Sequence, residues 1–303
     1  MEQNADLLTA ISGKPGKWAS RSRKLSLPKQ QCKPAVDMYC YLIAIQAASL
    51  MPPFTHRQVP GKRDYNRCFH PPYDVDDQGP VCQRLLEELI ELNPEAVVDL
   101  HNTSGEGPSF GVTTTYDEKH DEIVSLFTDR LMVTGLRLGA IMETNTEQIP
   151  VVTIECGGAY ESVADRIATD GLERFFINRE LFAEVPTDYN IDLYFNPMRI
   201  EMQQEATLNY GDSCVQGSDI TLKTEIEHHN FCLVTPDTLL GWVAPGAMDK
   251  LVAVGADQTN HFKDLYREEN DCLYPRSNQK MFMITSNPEI ARSDCFWYVV
   301  RAE

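Results

Sequence analysis

The chain has 303 residues, 42% of them apolar and 24% charged, which suits a soluble protein of one large or two modest domains with a core of ordinary size. Its formal net charge of −18 excludes the sequence-independent nucleic-acid binders, because they need Lys and Arg to replace phosphate counterions. A local arginine cluster in an acidic chain can still take a small carboxylate, so that ligand class stays open.

Residues 1–35 are polar and carry a basic stretch from Lys17 to Lys24, with no periodicity and no apolar core of a signal peptide. The run from Met38 to Met51 is the most apolar, yet Gln46 and Ser49 interrupt it and it is too short to span a bilayer. The nine cysteines are odd in number and form no C-x-x-C pair, as expected of free thiols in a reducing compartment. These features together predict a cytoplasmic protein.

Val36 to Ile45 reads as a mostly buried strand, and residues 52–79 as a loop rich in Pro, Arg and Asp. From Val81 to Leu92 the spacing of Leu85, Leu86, Leu89 and Ile90 predicts a helix, stopped by Asn93-Pro94. Ala96–Leu100 and Pro150–Ile154 are short buried strands, and Glu118–Leu138 and 161–183 read as helices. This alternation predicts an α/β fold: a mixed, mostly parallel sheet with helices on both faces, over residues 36–185. Beyond Val185-Pro186 come short β-like runs at Leu193–Met202, Ile220–Leu222, Phe231–Val234, Lys250–Val254 and Lys280–Ile284. They predict a smaller β-rich domain over 186–303.

In open α/β sheets, ligands bind at the carboxyl ends of strands. Two buried strands end here in polar residues, as Asp99-Leu-His101-Asn-Thr and Thr153-Ile-Glu155-Cys-Gly-Gly. A neutral imidazole can bind zinc, and a carboxylate can take a proton from water. A hydrogen-bonded His and a Glu that merely flanks its strand fit the same pattern. The loop His56 to His70 holds Arg57, Arg63, Arg67 and Lys62, with Asn66 beside Arg67. Guanidinium forks suit a carboxylate; a solvated basic loop paired with surface acids is the alternative. Cys156 has no adjacent His and reads as a buried thiol. His228 and His229, if on a strand, face opposite ways and do not form a metal pair.

The ordered set Asp64-Tyr-Asn66-Arg67, Val98-Asp-Leu-His101-Asn-Thr and Thr153-Ile-Glu155-Cys-Gly-Gly resembles the aspartoacylase/succinylglutamate desuccinylase family of the zinc carboxypeptidase-like superfamily. The resemblance covers roughly residues 36–183. It implies a zinc-dependent deacylase or carboxypeptidase-like hydrolase, cleaving an amide or ester bond of a small carboxylate-bearing acylamino acid or peptide. It implies His101 as a zinc ligand, Glu155 as general base and acid, and Asn66 with Arg67 as the grip on the substrate carboxylate. An upstream arginine polarises the scissile carbonyl in the family. Arg57 and Arg63 are both candidates; the resemblance is taken to imply Arg63 at the carbonyl and Arg57 among the substrate-binding groups. The partner expected is a small molecule, with no nucleic acid and no membrane, and a homo-oligomer is compatible.

The family also carries an H-x-x-E motif that supplies two zinc ligands. No His precedes His56, and the expected position, Gly16 to Lys24, holds neither ligand. The other reading is therefore a degenerate relative that binds carboxylates without a stable metal. His56, His70 and the acidic side chains of residues 74–77 are the substitutes nearest in sequence.

Overall fold

The structure, a computed structural model, describes residues 8–13, 35–53, 56–159, 161–178, 181–182, 188–294 and 296–302. Gly16 to Lys24 lies outside them.

Seven strands form the first sheet: β1 (Leu8–Gly13), β2 (Asp37–Tyr41), β3 (Ala96–Thr103), β4 (Phe110–Thr113), β5 (Arg130–Val133), β6 (Val151–Gly158) and β7 (Asp192–Phe195). Their order is β2-β1-β3-β6-β4-β5-β7. The pairs β3–β6, β4–β5 and β5–β7 are parallel, while β1–β2, β1–β3 and β4–β6 are antiparallel. The sheet is thus mixed in equal parts, not mostly parallel. The expected 36–185 boundaries also shift, since β1 and β7 belong to this sheet.

Four helices accompany it: α1 (Ile45–Ala48), α2 (Gln78–Leu92), α3 (Glu118–Ser125) and α4 (Ser162–Ile177). Asn93 ends α2 in the left-handed conformation, φ 45°, and Pro94 forbids its continuation. Asp117 caps α3 by accepting the Lys119 N–H. Alternation along the strands assigns the faces. Ala96, Val98, Leu100, Val152 and Ile154 pack against Ile123 and Val124 of α3 and Ala164 and Phe175 of α4. Val97 and Val151 point the other way, onto Leu85 and Leu89 of α2. Helices therefore pack on each face of the β3–β6 region.

The predicted helix Glu118–Leu138 stops early. Arg130–Val133 is instead β5, hydrogen-bonded between β4 and β7, with Leu131 and Met132 buried. Burial on both sheet faces overrides a run whose apolar spacing also suits a helix.

The C-terminal part builds two five-stranded sheets from ten strands: β8 (Met198–Met202), β9 (Leu208–Tyr210), β10 (Ile220–Leu222), β11 (Leu233–Val234), β12 (Gly241–Val243), β13 (Leu251–Val254), β14 (Tyr266–Glu269), β15 (Cys272–Pro275), β16 (Gln279–Phe282) and β17 (Trp297–Arg301). Their orders are β14-β15-β12-β10-β9 and β11-β16-β17-β8-β13. Two short helices, α5 (Phe262–Leu265) and α6 (Pro288–Ser293), complete the region. Ile200, Leu222, Phe262, Tyr266 and Trp297 are central to its core, and Trp297 Nε1 donates to the Tyr266 hydroxyl at 2.7 Å. Phe282, Tyr298 and Val300 pack on Phe110, Val112 and Met132 of the first sheet. That contact seats the β-rich part on the β4–β5 half of the face that α2 covers elsewhere. Among the described residues no helix is long and apolar enough to cross a membrane.

Candidate active site

Residues of odd number on β3 and β6 share one sheet face. Near the strand starts this face is apolar, with Val97 and Val151; toward the ends it becomes Asp99 and His101 on β3, Thr153 and Glu155 on β6. His101 and Glu155 are register partners across the parallel pair, as are Leu100 and Ile154. Both site residues are buried, at 7% and 8% exposure. The two polar segments singled out in the sequence therefore meet at one place, though both strands run past the expected ends at Leu100 and Ile154, to Thr103 and Gly158.

Asp99 completes this arrangement. Its Oδ2 lies 2.6 Å from His101 Nε2, where the ring N–H donates to the carboxylate, and 3.3 Å from the Thr153 hydroxyl that also donates to it. Asp99 sits inside the quoted motif, but its role follows only from the two-residue spacing along a strand.

A tight turn, Tyr65–Arg67, brings in the arginine loop. Asp64 caps it by accepting the Asn66 backbone N–H at 2.9 Å. The Asn66 side-chain amide lies 3.5 Å from His101 Nε2, and its carbonyl accepts the Ile141 N–H at 3.1 Å. Gly139 packs on the turn from the other side, where its carbonyl accepts the Phe69 N–H at 2.9 Å.

Arg57, Asn66, Arg67, His101 and Glu155 line one cleft. Arg63 is the expected residue that does not join them. Its guanidinium is held by Asp76 at 2.5 and 3.0 Å, and of the two candidate arginines only Arg57 lines the cleft. Asp76 is correspondingly held well below the usual carboxylate range by that bond. Asp77 pairs with Lys62 at 2.7 Å, and neither His56 nor His70 lines the cleft. His228 and His229 lie in a short helical turn, Ile226–His229, not on a strand. Cys156 is buried, and burial pushes its thiol up to about 12, too high for a nucleophile at neutral pH.

One charged cleft residue is not marked by any pattern in the sequence. Asp294, just past α6, reaches Arg57 at 3.3 Å, Arg67 at 3.6 Å and Arg199 at 2.5 Å. Burial alone would raise its carboxyl, but Arg67, Arg57 and Arg199 together hold it down to about 2.

The zinc implied by the resemblance can be tested against the donors in view. A catalytic zinc takes three protein ligands. Among the described residues no three His, Cys, Asp or Glu side chains are grouped to hold a metal. The donor set in view among the described residues does not by itself make up such a site.

No known protein-family model matches the chain, and no curated protein matches it. Its structure is similar to succinylglutamate desuccinylase from Vibrio parahaemolyticus, with 13% identity over 88% of this chain and 72% of that one, at a TM-score of 0.50. It is also similar to a succinylglutamate desuccinylase/aspartoacylase from Rhodobacter sphaeroides, with 13% identity over 88% of this chain and 76% of that one, at a TM-score of 0.51. The chain shares the fold of these deacylases, in agreement with the resemblance of its motifs.

Proposed function

We propose that the chain is a hydrolase of acylamino acids that uses Glu155 as its general base and acid. The observation that carries this reading is the pairing of His101 and Glu155 across β3 and β6, facing one cleft with Arg57, Asn66 and Arg67. In this reading Arg67 and Asn66 hold the ligand carboxylate and fix the acyl carbonyl near Glu155. Glu155 takes a proton from water as the water oxygen adds to the carbonyl carbon. The oxyanion that forms is stabilised by the Arg57 guanidinium. Glu155 then returns the proton to the departing nitrogen as the C–N bond breaks, giving a carboxylic acid and an amine. Asp99 orients His101 at the edge of this centre.

A zinc-dependent form of the same reaction would use His101 as a ligand, in line with the motif resemblance. A second reading, ligand binding without turnover, is favoured by the lack of a three-donor group among the described residues. The deciding experiment is release of free amine from a panel of N-acyl amino acids, with the metal content of the same sample measured by elemental analysis. Turnover that falls by roughly 10²-fold or more in Glu155→Gln supports the hydrolase. Ligand binding with no turnover under any metal supply supports the second reading.

A further inference from the structure

We propose that the cleft takes a substrate with a single carboxylate and a large apolar group, and that Asp294 sets this selectivity by occupying the arginines a second carboxylate would need. This rests on the acylamino-acid reading above and names its substrate class.

The first observation is the charge balance around the arginines. Arg57, Arg67 and Arg199 face Asp64, Asp294 and Glu201, three cations against three anions. Two of the cations are held closely. Arg57 lies 2.7 Å from Asp64 and 3.3 Å from Asp294, and Arg199 bonds Asp294 at 2.5 Å as well as Glu201. Arg67 is different. Its carboxylate neighbours stand at 3.6 and 3.9 Å, beyond hydrogen-bonding distance, and its NH1 donates to the Asn66 carbonyl at 2.8 Å. A guanidinium has five N–H donors, so Arg67 retains the capacity for one incoming carboxylate. With one carboxylate on Arg67 the cluster carries net negative charge, so a second carboxylate would meet no arginine with comparable donor capacity and would face Asp294 and the first carboxylate as like charges.

The second observation is the apolar part of the lining. Beside the charged groups the cleft is lined by Val112, Met132, Leu136, Leu138, Met142 and Met283, with the polar Thr134 and Tyr298 among them. Val112 and Met132 come from β4 and β5, and Met283 follows β16, so the chamber forms where the β-rich part packs on the sheet. This lining offers no charge to a polar acyl group. Unbranched, polarizable methionines give it an adaptable surface for aliphatic or aromatic groups of varied shape.

Calorimetric titration of the whole protein with acetate, butyrate, hexanoate, octanoate, succinate and glutarate tests this directly. Affinity is expected to rise by roughly fourfold per methylene along the monocarboxylates until the chamber is full, and succinate is expected to bind no tighter than butyrate. Asp294→Asn, its fold checked by circular dichroism, should bind succinate and glutarate at least tenfold more tightly while keeping the chain-length slope. Should that variant not fold, Met142→Asn reads the other half of the proposal, by flattening the slope. Acetate binding as tightly as hexanoate, succinate outcompeting butyrate in the unaltered protein, or no binding by any member would overturn the proposal. A chain-length slope with no turnover of any N-acyl amino acid would remove the hydrolase and leave this inference standing. Turnover confined to dicarboxylic acyl groups would do the reverse.

Discussion

Asp99 Oδ2 lies 2.6 Å from His101 Nε2, two residues along the same strand and on the same sheet face. A buried carboxylate in this position fixes Nε2 as the protonated nitrogen and fixes the plane of the ring. Asp99→Asn keeps the shape but loses the charge-assisted bond. Turnover of an N-acyl amino acid is expected to fall by roughly 10- to 100-fold, with stability changed by about 1 kcal/mol. Steady-state kinetics and chemical denaturation on the same variant check both halves. Unchanged turnover would remove His101 from the reacting centre.

Arg57 and Arg67 line the same cleft but should fail differently. Arg57 holds Asp64, whose side chain is only 6% exposed, at 2.7 Å. Its removal leaves that carboxylate poorly compensated, so Arg57→Ala should cost about 2 kcal/mol of stability, less than a fully buried pair because Arg57 is itself partly exposed. Arg67 makes longer ion pairs, at 3.6 and 3.9 Å. Arg67→Ala should change stability by less than about 1 kcal/mol, yet weaken a carboxylate ligand by roughly 2 kcal/mol. Denaturation curves and calorimetric titration separate the two effects.

Much of this centre was legible in the sequence, for a physical reason. A short β-branched run followed by polar residues has few other solutions, so the strands carrying Leu100 and Ile154 are recognisable, although they run on to Thr103 and Gly158 and so hold His101 and Glu155 inside the ladder and not past its end. The turn Tyr65–Arg67 was legible as a motif, since Asp64 supplies its cap from within the same four residues. The choice between Arg57 and Arg63 was not. They sit six positions apart in one loop, and only the tertiary position of Asp76 draws Arg63 aside. Asp294 was also invisible, because 237 residues separate it from Arg57 and no local pattern marks it. The strand β5 was misread because a half-turn of Leu, Met and Val suits either period until its sheet neighbours are known.

Asp294 also predicts a pH dependence. Its carboxyl is held at about 2 in the folded protein, below the value of roughly 3.9 of a free aspartate. A lowered carboxyl adds stability that is fully present above the unfolded value and is lost as pH falls toward the folded one. The contribution is therefore constant at neutral pH and declines between about pH 4 and pH 2. In Asp294→Asn this part of the decline should be missing, so the difference in stability between the two proteins should shrink as the pH is lowered through that window. Urea unfolding at intervals from pH 6 to pH 2 reads it. A difference that stays constant throughout would show that Asp294 is not held by the arginines in solution.

Gly139 gives a test of how the arginine turn is positioned. Its φ of +80° is a left-handed conformation that residues with a Cβ adopt at a cost of about 1 kcal/mol. A Cβ there would also stand 2.7 Å from the Arg67 carbonyl oxygen and 2.9 Å from its carbon, both backbone atoms that cannot swing aside. Gly61 supplies the control, since its φ is +78° but nothing lies within 4 Å of the Cβ it would gain. The backbone strain is thus matched, and only the contact with Arg67 differs. Gly61→Ala should cost about 1 kcal/mol and leave carboxylate binding unchanged. Gly139→Ala should cost a further 1 to 3 kcal/mol, roughly that of overpacking a tight contact, and should weaken carboxylate binding because the Asn66–Arg67 turn must move. Denaturation and titration of both variants give the comparison. Equal stability losses with equal binding would mean that the segment around Gly139 does not hold the turn in place.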